Sequence, residues 1–160
     1  MASRKPLVID SGIIKQLPAG DTLDAPTTTP DLYAFTNGEA GAITIGLPVY
    51  VSAASTVKKA KADASGTAQA IGLVYDASIS AAASGSVVLD GVLSTTTGTW
   101  DAICGTTGGL TAGTVYYLSK DTAGALTSTA PSASGQYVAR VGVGLSTTEM
   151  LVKPQPYIAL

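Results

Sequence analysis

The stretch that most restricts how this chain can fold runs from Gly108 to Leu145, GGLTAGTVYYLSKDTAGALTSTAPSASGQYVARVGVGL. Its apolar runs TVYYLS and QYVARVGVGL combine β-branched and aromatic side chains, which fit a pleated, half-buried surface. Between them, Gly124, Pro131 and Gly135 cut the Ala, Ser and Thr residues into pieces too short for a helix. The order is strand, short strand, loop, strand. An earlier stretch repeats it when Gly46–Gly91 is laid over Gly113–Pro154. GLPVYVSA falls on AGTVYYLS, with Val49, Tyr50 and Val51 over Val115, Tyr116 and Tyr117. AQAIGLVY falls on VARVGVGL, with Ile71, Gly72 and Leu73 over Val141, Gly142 and Val143, and GSVVLDG falls on TEMLVKP. Each copy would be a curled group of antiparallel strands whose apolar face only the other copy can cover.

The expected fold is therefore all-β: an antiparallel β-sandwich or jelly-roll-like barrel built from two weakly similar halves. They span 42–93 and 108–156, inside a core of 32–160, and a short helix near 99–104 joins them. The core opens on LYAF (Leu32–Phe35) and a hairpin signal, Asn37-Gly38. ITIGLPVYVSA is two strands divided by Gly46 and Pro48. Lys58, Lys59 and Lys61, in VKKAKA, read as an edge strand protected by lysine. A phosphate-binding patch is the other reading, but no aromatic residues interleave, so no nucleic-acid footprint is expected. DASISAAAS is a loop or one turn, and GSVVLDGVL is strand, turn at Asp90-Gly91, strand. TGTWDAICG is the one helix, with Thr97 or Thr99 as its cap, Gly105 at its end, and Trp100 as the apolar anchor that docks it.

Before Leu32 the text changes. Residues 1–31 read as an extended arm: a basic tail, two brief apolar runs around Asp10-Ser11-Gly12, and a connector holding Pro18, Pro26 and Pro30. Proline lacks the amide hydrogen and clashes with the preceding turn, which excludes helix and central strand there. A small hairpin at Leu7–Leu17 is an alternative for the apolar runs.

Composition narrows the chemistry. Charged residues make up 12% of the chain, half the usual share, and the formal net charge is -2, so the surface repels its neighbours weakly. With no histidine, the commonest general base and metal ligand is missing. The single cysteine, Cys104, makes no internal disulfide and has no evident activating base. Asp10, Asp21, Asp24, Asp31 and Glu39 sit mostly beside turn formers, where a carboxylate bonds nearby amides rather than working as a glycosidase pair. The glycines of Gly105–Gly113 lack the Lys-Ser/Thr ending of a phosphate loop. No apolar run approaches the length of a membrane helix, and no signal peptide is read. The expectation is a non-enzyme with no catalytic residue, no metal and no cofactor.

The series QLPAGDTLDA, GLPVYVSA, AQAIGLVYDASI, GSVVLDGVL, WDAICGTTGGLTAGTVYYLS, GALTSTAP and GQYVARVGVGLSTTEMLV resembles a module of tailed-bacteriophage structural proteins. Similar text occurs in small capsid decoration, or cement, proteins and in tail-fibre and other virion proteins. The resemblance implies a homotrimeric virion protein on the outer capsid surface, made in the bacterial host cytoplasm, that stabilises the capsid by binding between major capsid protein subunits. With no nucleic-acid footprint and no membrane-length apolar run, neither a nucleic-acid nor a membrane partner is expected. The interface candidates are Arg4, Lys5, Leu7, Ile9, Ile13, Leu17, Pro26 and Pro30 of the arm, with Tyr157 and Ile158 near the C-terminus; closing an ordinary domain edge is the alternative for the last two. LVIDSGIIKQLPAGDTL also resembles the opening of some fibre proteins, which makes a tail or neck component, such as a short fibre or adsorption module, the alternative function.

Overall fold

A computed structural model describes residues 29–160, together with the backbones of β1 (Leu7–Asp10) and β2 (Ile13–Gln16). The protein is all-β, with a closed strand barrel and further strands continuing from it. The barrel uses β3 (Asp31–Asn37), β5 (Pro48–Ala53), β6 (Thr56–Lys59), β7 (Gly72–Val74) and β9 (Ser84–Ser94). Around the ring the order is β9-β3-β6-β5-β7, and β7 returns to pair with β9. Phe35, Val49, Val57, Val74 and Val87 fill it, and the short pair β4 (Ile43–Thr44) and β8 (Ser78–Ile79) adds Ile43 and Ile79 to the same core.

The second half grows out of β9. Past Gly91 this strand leaves β3 and pairs with β14 (Glu149–Val152), and the sheet continues through β13 (Arg140–Gly144) and β10 (Val115–Leu118) to β11 (Leu126–Thr127). Leu93, Trp100, Ile103, Leu110, Tyr116, Leu118, Val141, Met150 and Val152 pack with Leu73 and Val88 of the barrel as one cluster, so the two halves share a core. Each fully buried Val, Leu or Ile here contributes about 1.5–3 kcal/mol relative to exposure. The chain ends on β15 (Ile158–Ala159), paired with β12 (Tyr137–Val138).

The halves repeat one another in pairing and in hydrogen bonds. The neighbours β6-β5-β7-β9 of the first correspond to β11-β10-β13-β14 of the second. Gly46 N–H donates to Val74 O and Val74 N–H to Leu47 O, at 2.8 and 3.0 Å. The same exchange joins Gly113 N–H to Gly144 O and Gly144 N–H to Thr114 O, at 2.8 and 2.9 Å. Both Gly46 and Gly113 have positive φ, at 84° and 77°, so the same turn feeds β5 and β10. This geometry moves one block of the sequence alignment by a residue: Val49, which pairs with Gly72, corresponds to Tyr116, which pairs with Gly142. The other two blocks stand as aligned. β3 pairs with the first part of β9 as the last part of β9 pairs with β14, so one long strand serves both halves.

Four local expectations are corrected. β3 and β6 run parallel, so the sheet is not wholly antiparallel. β6 lies inside the ring between β5 and β3 and is no lysine-guarded edge: Lys61 instead pairs with Asp63 at 2.8 Å. Asp90-Gly91 is no reversal; β9 runs straight through it, with Gly91 at φ 119° and a register shift opposite Asp31–Leu32. Asn37-Gly38 makes no hairpin, because β4 pairs with β8 rather than β3. Asn37 is buried, donating to Gly41 O and Ile79 O at 2.9 Å each and accepting from Glu39 N–H at 2.8 Å, and so ties the end of β3 to β8.

There are two helices among the described residues rather than one: the single turn α1 (Ser65–Ala68) and α2 (Thr97–Cys104). The cap of α2 is Thr96, whose hydroxyl accepts from Thr99 N–H at 3.2 Å. Past its end, the Asp101 carboxylate accepts from Gly109 N–H at 2.7 Å, Gly108 N–H at 3.1 Å and the Thr106 hydroxyl at 3.1 Å, which fastens the following loop to the helix. The Gly109 bond, followed by those of Gly108 and Thr106, holds its carboxyl below the usual range against the opposing effect of desolvation. A folded-state pKa below the unfolded one stabilises fully above about 4, and the stabilisation is lost as pH falls through the folded value. Asp101→Ala is therefore expected to melt below the wild type at pH 7, with the gap closing as pH falls below the carboxylate range. Paired thermal melts across that window check it; a gap constant with pH would count against the network.

Candidate interaction surface

The arm residues Arg4, Lys5, Leu17 and Pro26 lie outside the described residues. Leu7 and Ile9 fall in β1 and Ile13 in β2, in a two-stranded antiparallel sheet that pairs Leu7 with Gln16, Ile9 with Ile14 and Asp10 with Ile13. Pro30 lies against β9, where a Cβ on Gly91 would come within 2.7 Å of its Cα. Tyr157 packs edge-on against Tyr137, ring centroids 5.1 Å apart, on the shared core. Its neighbour Ile158 is 66% exposed, so the structure separates the two C-terminal candidates. Trp100 is fully buried and donates from Nε1 to Thr148 O at 2.9 Å.

The most unusual surface is on β3. Asp31, Leu32, Tyr33 and Ala34 are four successive exposed strand residues, with Leu32 38% and Tyr33 55% exposed. Their β9 partners Val88 and Val87 are fully buried. The cause is the ring closure: β6 meets β3 only at Thr36 and Asn37, so residues 31–35 of β3 have no strand on that side among the described residues. Sequence reasoning began the β core at Leu32 and did not single out Leu32 and Tyr33 as exposed. The signal that marks the edge, an apolar LYAF run with no lysine and no internal proline, becomes readable only once the pairing is known.

Elsewhere the chemistry is modest. A shallow cleft of about 350 Å³ beside β11 is lined by residues such as Lys120, Asp121, Thr127, Ser132 and Gln136, and its lysine and aspartate already pair with each other at 2.6 Å. Cys104 is half-buried; desolvation first and the negative charge of Asp101 second push its thiol up to about 12, so it is neutral at physiological pH. Among the described residues no three His, Cys, Asp or Glu side chains gather as metal ligands, and no helix is long and apolar enough to cross a membrane. No protein-family model and no curated protein matches the chain.

Proposed function

We propose that the chain is a structural protein of a tailed-bacteriophage virion, which decorates the capsid and stabilises it by binding between major capsid protein subunits. The observation that carries this reading is the chemistry of the exposed surface. Leu32–Ala34 of β3, the segment Ser52–Ser55 and the C-terminal Ile158 and Leu160 are exposed and are apolar, small or hydroxylated, with Asp31 the one charge on the exposed part of β3. Such a surface can be covered by a neighbour without stripping water from many charges. The barrel supplies a stiff body for that surface, and the order of short motifs along the chain resembles that of phage decoration modules. The role needs no catalytic residue and no cofactor. Its partners are the major capsid protein and sister copies in a trimer, on the outer shell surface.

The mechanism is mass action. A protein that binds only the assembled, expanded shell stabilises that state by RT ln(1 + [L]/Kd) per site. Repeated shallow contacts over a symmetric lattice reinforce one another through effective concentration, so no single contact has to be strong. The test is co-sedimentation with purified expanded shells, comparing the full chain with a variant lacking residues 1–28. A cut before Thr29 leaves β3 whole. The full chain is expected to sediment with shells, and the truncated chain to remain a folded β protein while binding at least tenfold more weakly. If the full chain stays in the supernatant, the reading fails; if the truncated chain binds as well, the arm has no part in it.

A further inference from the structure

We propose that the free edge of β3 receives the β1–β2 hairpin of a second copy of this chain, which adds a strand beside Leu32–Ala34 and covers Tyr33. The backbone geometry defines the slot. Thr36 N–H donates to Ser55 O at 2.8 Å on one side of β3, and Asn37 N–H to Ala83 O at 2.9 Å on the other. Strand groups alternate with a period of two, so the N–H and C=O of Leu32 and Ala34 face the same side as those of Thr36. β6 begins at Thr56, opposite Thr36, and leaves that side of residues 31–35 without a ladder partner among the described residues. A free strand edge is a template for another strand, and native proteins usually guard one with lysine, proline or a bulge. Here the run is Leu32-Tyr33-Ala34, with the Tyr33 ring tilted against that of Phe35, centroids 4.8 Å apart.

The chain carries a fitting occupant. β1 and β2 are four residues each, against five at the free edge, and hold Leu7, Val8, Ile9, Ile13 and Ile14. They form a sheet of two strands by themselves, and an isolated hairpin is at best marginally stable, so a third strand is a strong gain. The sequence between Gln16 and Asp31 favours a neighbour over the hairpin's own barrel. It contains Pro18, Pro26 and Pro30, and proline biases itself and its preceding residue toward extended backbone. A connector of this length reaches up to about 45 Å when extended, enough to cross to another copy. Strand addition of this kind gives affinity through main-chain bonds, with side chains such as Tyr33 setting the fit.

The test uses the full chain free of shells, so it can fail without touching the decoration reading, and the reverse holds as well. Light scattering measures the mass of the wild type and of Ala34→Pro. Proline at 34 removes an amide that faces the slot and none that bonds β9, so the barrel is retained. Hydrogen exchange on the wild type, concentrated and dilute, follows the Leu32 and Ala34 amides. The expected result is a wild-type mass of at least twice the chain, a single-chain mass for Ala34→Pro, and exchange at Leu32 and Ala34 slowed at least tenfold on assembly. A monomeric wild type overturns the proposal, as does a multimer in which those two amides stay unprotected. If Ala34→Pro fails to fold, the exchange measurement decides alone.

Discussion

Trp100→Ala is expected to cost about 5 kcal/mol and to lower the melting temperature by about 10–20 °C. The indole is fully buried between the halves, in the cluster that includes Ile103, Tyr116 and Met150. Removing it leaves a cavity bordered by β-sheet, which cannot collapse onto it without breaking ladder bonds. It also strips the Thr148 carbonyl of its 2.9 Å donor, and an unsatisfied buried acceptor costs about 1–3 kcal/mol more. A domain is stable by about 5–15 kcal/mol in all, so this variant stands at the edge of unfolding. Trp100→Phe keeps most of the bulk and loses the hydrogen bond, and is expected to lose less than half as much. Urea and thermal unfolding of the three proteins check the ranking. A Trp100→Ala protein that melts within a few degrees of the wild type would mean that α2 does not anchor the shared core.

Gly72→Ala is expected to be nearly as severe, at about 3 kcal/mol or more, for the opposite reason. A Cβ on Gly72 would overlap Val88 O, a backbone atom at the centre of the β7–β9 pair that cannot move aside as a flexible side chain would. The equivalent glycine of the second half, Gly142, would place its Cβ 2.5 Å from Leu151 O, and Leu151 is the repeat partner of Val88. Both halves thus depend on a bare backbone at the same point, and Gly142→Ala is expected to behave alike. Gly98→Ala is the control. Nothing lies within 4 Å of its Cβ position in α2, and alanine there is expected to stabilise by about 0.5–1 kcal/mol. Chemical denaturation gives all three; equal melts for Gly72→Ala and the wild type would contradict the close approach.

The contrast between these sites shows what the sequence made legible. The all-β class and the repeated halves follow from short β-branched runs punctuated by glycine. Laying Gly72 on Gly142 and Val88 on Leu151 found pairs whose close contacts the structure repeats. The slip at Val49 arose because Val-Tyr occurs in both copies, and matching those letters outweighed the turn glycines Gly46 and Gly113 that set the hydrogen bonds. Ring closure was not legible, since it rests on a two-residue parallel contact between β3 and β6 with no local signature. From this follow the misreading of Lys58 and Lys59 as edge guards and the missed exposure of Leu32 and Tyr33. Gly91 looked like a turn because glycine serves both reversals and strand irregularities, and only the pairing of β9 on both sides of it separates them. Exposure at Ile158 beside packing at Tyr157 likewise depends on β12, a partner about twenty residues away in sequence.

The most direct test of the central claim is the copy number of this protein relative to the major capsid protein in purified particles, by quantitative mass spectrometry. Decoration of the shell lattice requires a substantial fraction of the major capsid protein's own number, up to parity with it. A handful of copies per particle would contradict that and place the protein at the neck or tail, and its absence from the particle would contradict a structural role altogether.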